Sequence, residues 1–392
     1  MSLMTGDDAL TRLRAAADAP YAYARDWKQR TGGRVIGSFP MNFPSELVHA
    51  TGALPVIVQE TSTPITAGRG LLPEFYCSYT RSVADQAAVG ELEVFDAFVV
   101  TDHCVQLLGA VDVIRWALPE VPNHFAQFIS SIDDPWSESQ VQGRVDALRD
   151  ELEEIVGAPI EPDAVTHSIR LFNENRALLR EFFEGRRSGR LQLPAADLQA
   201  LVTSSMVMDI AEHSALLRTV LDAADRVGRV DAPPRVHLSG HFCARVPPAL
   251  LATIEDCGVV VVDDDVYHGW RYIATDVAET GDPFAALGEW YLDRNIAVPC
   301  ATRIHREVDW DGYLVDRLAT SGAEAAIILM AKFCEPLMLY YPELRKTLEE
   351  RGVPVLLIET EHDGLPEESI RTRVETFAER IRRNRTRIAD PA

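Results

Sequence analysis

The sequence lacks the motifs of several large classes of enzyme. No Gly-x-x-x-x-Gly-Lys-Ser/Thr occurs in its 392 residues, so ATP hydrolysis at a P-loop is not expected. No Gly-x-Gly-x-x-Gly follows a strand pattern, so the dinucleotide fingerprint is missing as well. No apolar run approaches the roughly 20 residues of a membrane span. The first 20 residues show no basic region followed by an apolar one. We therefore expect a cytoplasmic protein that does not bind a membrane.

Basic residues are scarce relative to acidic ones. The 38 Lys and Arg residues face 60 Asp and Glu residues, which gives a net charge of −22. This balance argues against a nucleic-acid partner and is most simply a solvated acidic surface. The hydrophobic fraction of 47% and the charged fraction of 25% are typical of a globular protein with more than one domain.

Cysteine is also rare, and its spacing excludes some roles. The six cysteines contain no Cys-x-x-Cys pair, which weakens a zinc-ribbon or thioredoxin interpretation. So few cysteines in so long a chain do not form a disulfide framework, and they are free thiols or metal ligands. A cluster held by widely spaced cysteines remains open.

Short apolar runs alternate with helical patterns in two regions of the chain, which predicts parallel sheets covered on both faces. Between these regions, residues 138 to about 227 follow a nearly continuous helical period. We predict an α/β protein with two Rossmann-like or flavodoxin-like parallel-sheet domains and a helical insert between them. The predicted domains are residues 1–135, 136–232 and 233–392. The predicted strands are residues 34–40, 54–58, 95–101, 235–240, 258–265, 325–330 and 353–359.

Three cysteines fall where a sheet of this kind builds its sites. Cys77 lies at the start of a predicted helix, whereas Cys104 and Cys334 each follow an apolar strand directly. Ligands of open α/β sheets gather at the carboxyl ends of strands, so these thiols could converge on one site. The alternative is that they are ordinary buried thiols, because free cysteine is among the most buried residue types.

Several segments together resemble the 2-hydroxyacyl-CoA dehydratase/benzoyl-CoA reductase family, over about residues 33 to 380. Each motif is short, but their order and joint presence are fairly specific to this family. The segments are Gly37-Ser38-Phe39-Pro40, residues 44–55, Val261-Val262-Asp263-Asp264 with Arg271-Tyr272, Lys332-Phe333-Cys334-Glu335-Pro336 with Tyr341-Pro342, and residues 352–359.

The resemblance implies a 4Fe-4S cluster held by Cys77, Cys104 and Cys334, with one iron left open. It also implies a homologous second subunit and a separate ATP-hydrolysing iron–sulfur activator that injects one low-potential electron. The expected substrate is an acyl-CoA or aryl-CoA thioester. The expected chemistry passes through a ketyl radical in a dehydratase, or reduces the aromatic ring in a reductase.

Four further residues are weaker candidates. His103 precedes Cys104 and could move a proton, although it could equally cap a strand by hydrogen bonding. Glu359 ends the last strand and is a second candidate for catalysis, or a solvated carboxylate. Ser38 and Ser239 end the first strand of each unit and could bind a substrate carbonyl or phosphate. Val105 follows Cys104 where the family often has Asp, which leaves an acidic contact there in doubt.

The other three cysteines are expected outside the ligand set. Cys257 and Cys300 are read as core or loop residues, and Cys243, which follows the Ser239-Gly240 turn, could border a site. Two alternative functions stay open. One is a subunit whose cluster relays electrons and has no substrate site of its own. The other is a cluster-free α/β binding module.

Overall fold

Two four-stranded sheets, all parallel, form the centre of the protein. The computed structural model describes residues 4–41, 43–224, 233–240, 243–364 and 366–389. The strands are β1 (Val35–Ser38), β2 (Leu54–Ile57), β3 (Ala97–Thr101), β4 (Asn123–Ala126), β5 (Arg235–Gly240), β6 (Val260–Asp264), β7 (Ala325–Ala331) and β8 (Val355–Thr360). The first sheet has the order β2-β1-β3-β4 and the second the order β6-β5-β7-β8. The predicted α/β class with two parallel sheets is confirmed.

Helices precede, separate and follow these strands. They are α1 (Gly6–Asp18), α2 (Pro20–Thr31), α3 (Ser45–His49), α4 (Ser78–Ala88), α5 (Leu107–Ala117), α6 (Ser137–Val156), α7 (Pro162–Arg187), α8 (Ala195–Ser205), α9 (Ile210–Ala223), α10 (Pro248–Asp256), α11 (Pro283–Ala297), α12 (Trp310–Ser321), α13 (Glu335–Glu350) and α14 (Glu367–Ala389). The predicted end of a helix at Val227 lies outside the described residues. Across the described ranges, no helix has the length and apolar character that a membrane crossing requires.

The strands are apolar because helices cover both faces of each sheet. All five residues of β3 are buried, and so are the first six of β7. Such strands read as continuous apolar runs rather than as alternating ones, which is why the sequence indicates them. β4 is the exception, since three of its four residues are only partly buried, and it was not among the predicted strands.

Two of the helices that lie between the sheets in the sequence pack on the first sheet. Val141 of α6 and Ile169 of α7 share a core with Ile36 of β1 and Val99 of β3. Leu287 of α11, from the second half of the chain, belongs to the same core. The helical region therefore joins the two halves through packing, and its boundaries with them stay a prediction.

A second core is continuous between the two sheets. Phe98 of β3 and Ile328 of β7 belong to it, together with residues of α4, α5 and α13. The carboxyl ends of β3 and β7 consequently open toward a common region, and the chain segments that follow them form the site.

Candidate functional site

One cavity collects cysteines from both halves of the chain. Cys77, Cys104 and Cys334, the three predicted ligands, line it together with Cys243. The cavity measures about 30 Å³, and all the empty space in and around it, open solvent included, is about 540 Å³. The remaining lining residues are Ser78, Tyr79, His103, Gln106, Leu107, Ala244, Ala331, Glu335, Pro336 and Leu337.

The three predicted ligands lie at the beginnings of helices. Cys77 caps the amino end of α4 and Cys334 caps that of α13, while Cys104 lies three residues before α5. The free backbone N–H groups of a helix start favour nearby negative charge. The helix starts therefore act in favour of the thiolate, which is the form of cysteine that binds metals.

A single buried amide connects the segments that carry these three cysteines. Gln106 follows Cys104 by two residues, and its Oε1 accepts a hydrogen bond of 2.8 Å from the backbone N–H of Cys77. Its Nε2 donates a bond of 2.9 Å to the carbonyl oxygen of Phe333, next to Cys334. Gln106 thus fixes the relative positions of all three segments.

Phe333 has a strained backbone directly before Cys334. Its φ is +65°, in the left-handed region that side chains with a Cβ rarely adopt. Such a residue costs about 1–2 kcal/mol, and the surrounding structure must hold it in place. The bond from Gln106 to the carbonyl of Phe333 is one of the contacts that hold it.

Burial opposes ionisation of the thiols. It is the main cause that raises the pKa of Cys104 and of Cys334 to about 12, and the neighbouring Cys77 raises each further. Backbone N–H groups of Gln106, Leu107 and Leu337 act in the opposite direction. A bound metal reverses this effect, because a thiol that coordinates a metal is deprotonated outright. Several buried thiols around one cavity are therefore suitable ligands for a cationic group.

The arrangement of the donors suits a cluster better than a single ion. In the part of the chain that the structure describes, no three His, Cys, Asp or Glu side chains are close enough to share one metal ion. In a 4Fe-4S cluster each cysteine binds a different iron, so the thiolates surround the cube rather than meet at one point. Thiolates spread around one cavity fit that requirement.

A family model matches the chain over residues 40–381, and it describes the D-component of 2-hydroxyglutaryl-CoA dehydratase. This match covers most of the chain. The protein belongs to this family. The resemblance stated from the sequence is confirmed.

Relatives of the whole chain are named as enzyme subunits. One of the subunits of benzoyl-CoA reductase of Thauera aromatica is 28% identical, and the alignment covers 97% of this chain and 99% of the relative. The beta subunit of (R)-phenyllactyl-CoA dehydratase of Clostridium sporogenes is 25% identical over 97% and 100%. The beta subunit of (R)-2-hydroxyglutaryl-CoA dehydratase of Acidaminococcus fermentans is 25% identical over 89% and 93%. The family is thus one of dehydratase and reductase subunits.

Of the two predicted catalytic residues, one lines the cavity. His103 is buried there, and its Nδ1 lies 3.1 Å from the hydroxyl of Thr302. Burial, helped by the guanidinium of Arg303, lowers the pKa of His103 well below its usual value. Glu359 is exposed on β8 and does not line the cavity. Their roles in proton transfer stay predictions.

The predicted substrate-binding serines lie inside the fold. Ser38 and Ser239 end or nearly end β1 and β5, and both are almost completely buried. Neither lines the cysteine cavity. Each lies near the carboxyl end of its strand, and binding of a substrate by either stays a prediction.

Sequence reasoning missed Gln106 and gave Cys243 only a possible place at the border of a site. Gln106 gave no signal because a lone Gln has no motif value and its partners are distant in the chain. Cys243 gave the strand-end signal that singled out Cys104 and Cys334, but the turn before it suggested a less direct role. Cys257 and Cys300 lie outside the cavity, as expected.

Proposed function

We propose that the chain is the iron–sulfur subunit of an enzyme that acts on an acyl-CoA or aryl-CoA thioester. The observation that carries the proposal is the cavity in which Cys77, Cys104 and Cys334, separated widely in sequence, meet at three helix starts. A 4Fe-4S cluster is the cofactor that this donor set fits best. All six cysteines are free thiols, which agrees with a cytoplasmic location.

When bound, the cluster supplies one electron at low potential, which is what reduction of a thioester carbonyl to a ketyl radical requires. The helix starts around the cavity stabilise the negative charge of the thiolates and of the group they hold. Leu107 and Leu337 form apolar walls that exclude water.

The electron must come from outside the chain. The sequence has no P-loop, so energy from ATP would be supplied by a separate activator that docks and donates one electron at a time. The relatives of this family are likewise named as subunits or components of larger enzymes.

The surface around the cavity supports a homologous second subunit as partner. Among the described residues, five of the ten exposed large apolar side chains lie within five positions of Cys77, Cys104 or Cys334. We call these five the apolar rim: Phe75, Val105, Leu108, Met338 and Leu339. Exposed apolar groups gathered around a site are typical of a protein interface.

A second candidate function is supported by the size of the cavity. The cavity, at about 30 Å³, has no room for an acyl-CoA thioester beside a cluster, since pockets for ligands of that size measure roughly 300–1,000 Å³. This favours a subunit that relays electrons while its partner binds the thioester.

Iron and acid-labile sulfide on anaerobically purified protein test the proposal. We expect about four of each per chain, with most of both lost in Cys77→Ala, Cys104→Ala and Cys334→Ala. Cys257→Ala, which removes a thiol outside the cavity, is the control and should retain them. If the wild-type chain holds neither, even after reconstitution with its partner subunit, a cluster-free binding module is the better description.

A further inference from the structure

Cys243 has the same position relative to a strand as two of the predicted ligands. Cys104 lies three residues after the end of β3, Cys334 three residues after the end of β7, and Cys243 three residues after the end of β5. β5 and β7 are neighbours in the second sheet, with Gly240 paired to Leu329. Adjacent parallel strands of similar length deliver their following segments to one edge, so this spacing places Cys243 and Cys334 at the same edge of the second sheet.

The turn that leads toward Cys243 is fixed by a close approach. Gly240 has a φ of +100°, and a Cβ at this position would lie only 2.1 Å from the carbonyl oxygen of Leu329. No other residue fits there without moving β7. The end of β5 is therefore fixed by backbone contact with the strand that leads to Cys334.

Cys243 lines the same cavity as all three predicted ligands. The other two cysteines have different surroundings. The thiol of Cys257 contacts the backbone carbonyl oxygen of Arg371 in α14, and the thiol of Cys300 contacts the hydroxyl of Thr302.

We propose that Cys243 is the fourth thiolate ligand of the cluster, so that all four irons are held by protein and none is open to substrate. This inference rests on the proposed function and adds the identity of the fourth cluster ligand to it. Cys77, Cys104, Cys334 and Cys243 would hold a cluster that could pass an electron from the activator to the partner subunit. The thioester would then be bound and transformed elsewhere in the complex.

Controlled oxidation of the anaerobically prepared wild-type complex separates a closed cluster from an open one. A cluster with three protein ligands readily releases its open iron to ferricyanide and becomes a 3Fe-4S cluster, which has a characteristic electron paramagnetic resonance signal. With four thiolates, we expect the wild type to retain about four irons and to show little of this signal. Cys243→Ala should still assemble a cluster, but should lose about one iron per cluster and develop the signal.

Two further variants keep the test decisive. Cys257→Ala removes a thiol outside the cavity and should behave like the wild type. Cys243→Ser preserves the volume of the side chain and serves as the test if Cys243→Ala does not fold. It replaces a thiolate with a hydroxyl or alkoxide, so it should shift the reduction potential of the cluster. The potential is measured by redox titration and does not depend on turnover.

The outcomes distinguish this inference from the proposed function. A wild-type cluster that converts as readily as that of Cys243→Ala would overturn the fourth ligand and leave the iron–sulfur subunit intact. A serine variant with an unchanged potential would do the same. A wild-type complex without iron in this chain would overturn both.

Discussion

At the scale of single residues, Gln106 does the most to hold the site together. Its amide accepts from Cys77 and donates to Phe333, and it follows Cys104 in the chain, so one side chain connects three thiol-bearing segments. The side chain is only 7% exposed. Removal of the amide would leave a partly buried N–H and a partly buried carbonyl without this partner, which costs more than the bonds themselves contribute.

Gln106→Leu should destabilise the protein by about 1–3 kcal/mol for each of the two groups left unpaired. The cavity should also lose its fixed shape, so that the cluster is released faster to an iron chelator. Urea denaturation of the cluster-free chain measures the first effect, and the rate of iron loss measures the second.

Gln140→Leu makes the same substitution at an exposed position of α6 and is the matched control. It should change stability by no more than about 0.5 kcal/mol. If Gln106→Leu proves no worse than this control, Gln106 does not position the cysteines.

The sequence could predict single site residues only where they carry local signals. Cys104 and Cys334 follow apolar strands, and Cys77 precedes a helical pattern, so all three could be selected. Gln106 could not, because its hydrogen-bond partners lie 29 and 227 positions away in the chain. His103 was selected through its neighbour, Cys104, rather than through any signal of its own.

At the scale of secondary structure, a histidine joins segments from the two halves of the chain. His362 follows β8, and its Nδ1 lies 2.8 Å from a carboxylate oxygen of Glu60, which follows β2. Its Nε2 lies 2.7 Å from the carbonyl oxygen of Thr63. Both partners are acceptors, so the doubly protonated imidazolium satisfies both bonds. The second oxygen of Glu60 accepts from the hydroxyl of Ser78, beside Cys77.

The stabilisation by His362 should depend on pH. The hydrogen bond to Glu60 is the main cause that raises the pKa of His362 above its usual value. A raised folded-state pKa means that the stabilisation is fully present below about pH 6.5 and disappears as pH rises through the folded-state pKa. His362→Gln should therefore destabilise the protein at pH 6 and have a smaller effect at pH 9, as measured by urea denaturation at the two values.

His167→Gln removes an exposed histidine of α7 and provides the comparison, with a small effect at both values. An effect of His362→Gln that is the same at pH 6 and pH 9 would mean that the contact with Glu60 does not depend on protonation.

A strand could be predicted from the sequence where burial on both faces of the sheet makes it apolar. β3 and β7 fulfil this condition and were found, whereas β4, the sequence Asn-His-Phe-Ala, is short and half-buried and was not. The helices from α6 to α9 were predicted as elements. The surfaces on which they pack were not predicted, because an amphipathic pattern shows that a face is buried but not which surface covers it.

At the scale of the whole molecule, the two sheets repeat one plan. The order β2-β1-β3-β4 of the first matches β6-β5-β7-β8 of the second, and β3 and β7, which precede Cys104 and Cys334, hold the same place. β1 and β5 also correspond. The position three residues after β1 is Met41, buried and with a φ of +90°, whereas the position three residues after β5 is Cys243. The two halves therefore differ in what they bring to the cavity.

Substitutions in the apolar rim should weaken association with the second subunit. Leu339 is 81% exposed and Val105 is 69% exposed, and burial of such a side chain contributes roughly 1.5–3 kcal/mol. Leu339→Lys or Val105→Lys should thus raise the Kd by about tenfold or more. Isothermal titration with the purified partner subunit measures this.

Val89→Lys places the same charge on an exposed apolar position at the end of α4, outside the rim, and should leave the Kd within about twofold. Equal affinities for the rim variants and the wild type would show that the partner binds another surface.

The division of the cavity between the two sheets sets an order of events during biosynthesis. Cys77 and Cys104 leave the ribosome long before Cys334, and the wall that Cys334 and Cys243 contribute does not exist until β7 and α13 have folded. If the chain holds the proposed cluster, its amino-terminal half cannot receive the cluster by itself, and a protein truncated before β7 should accumulate without iron.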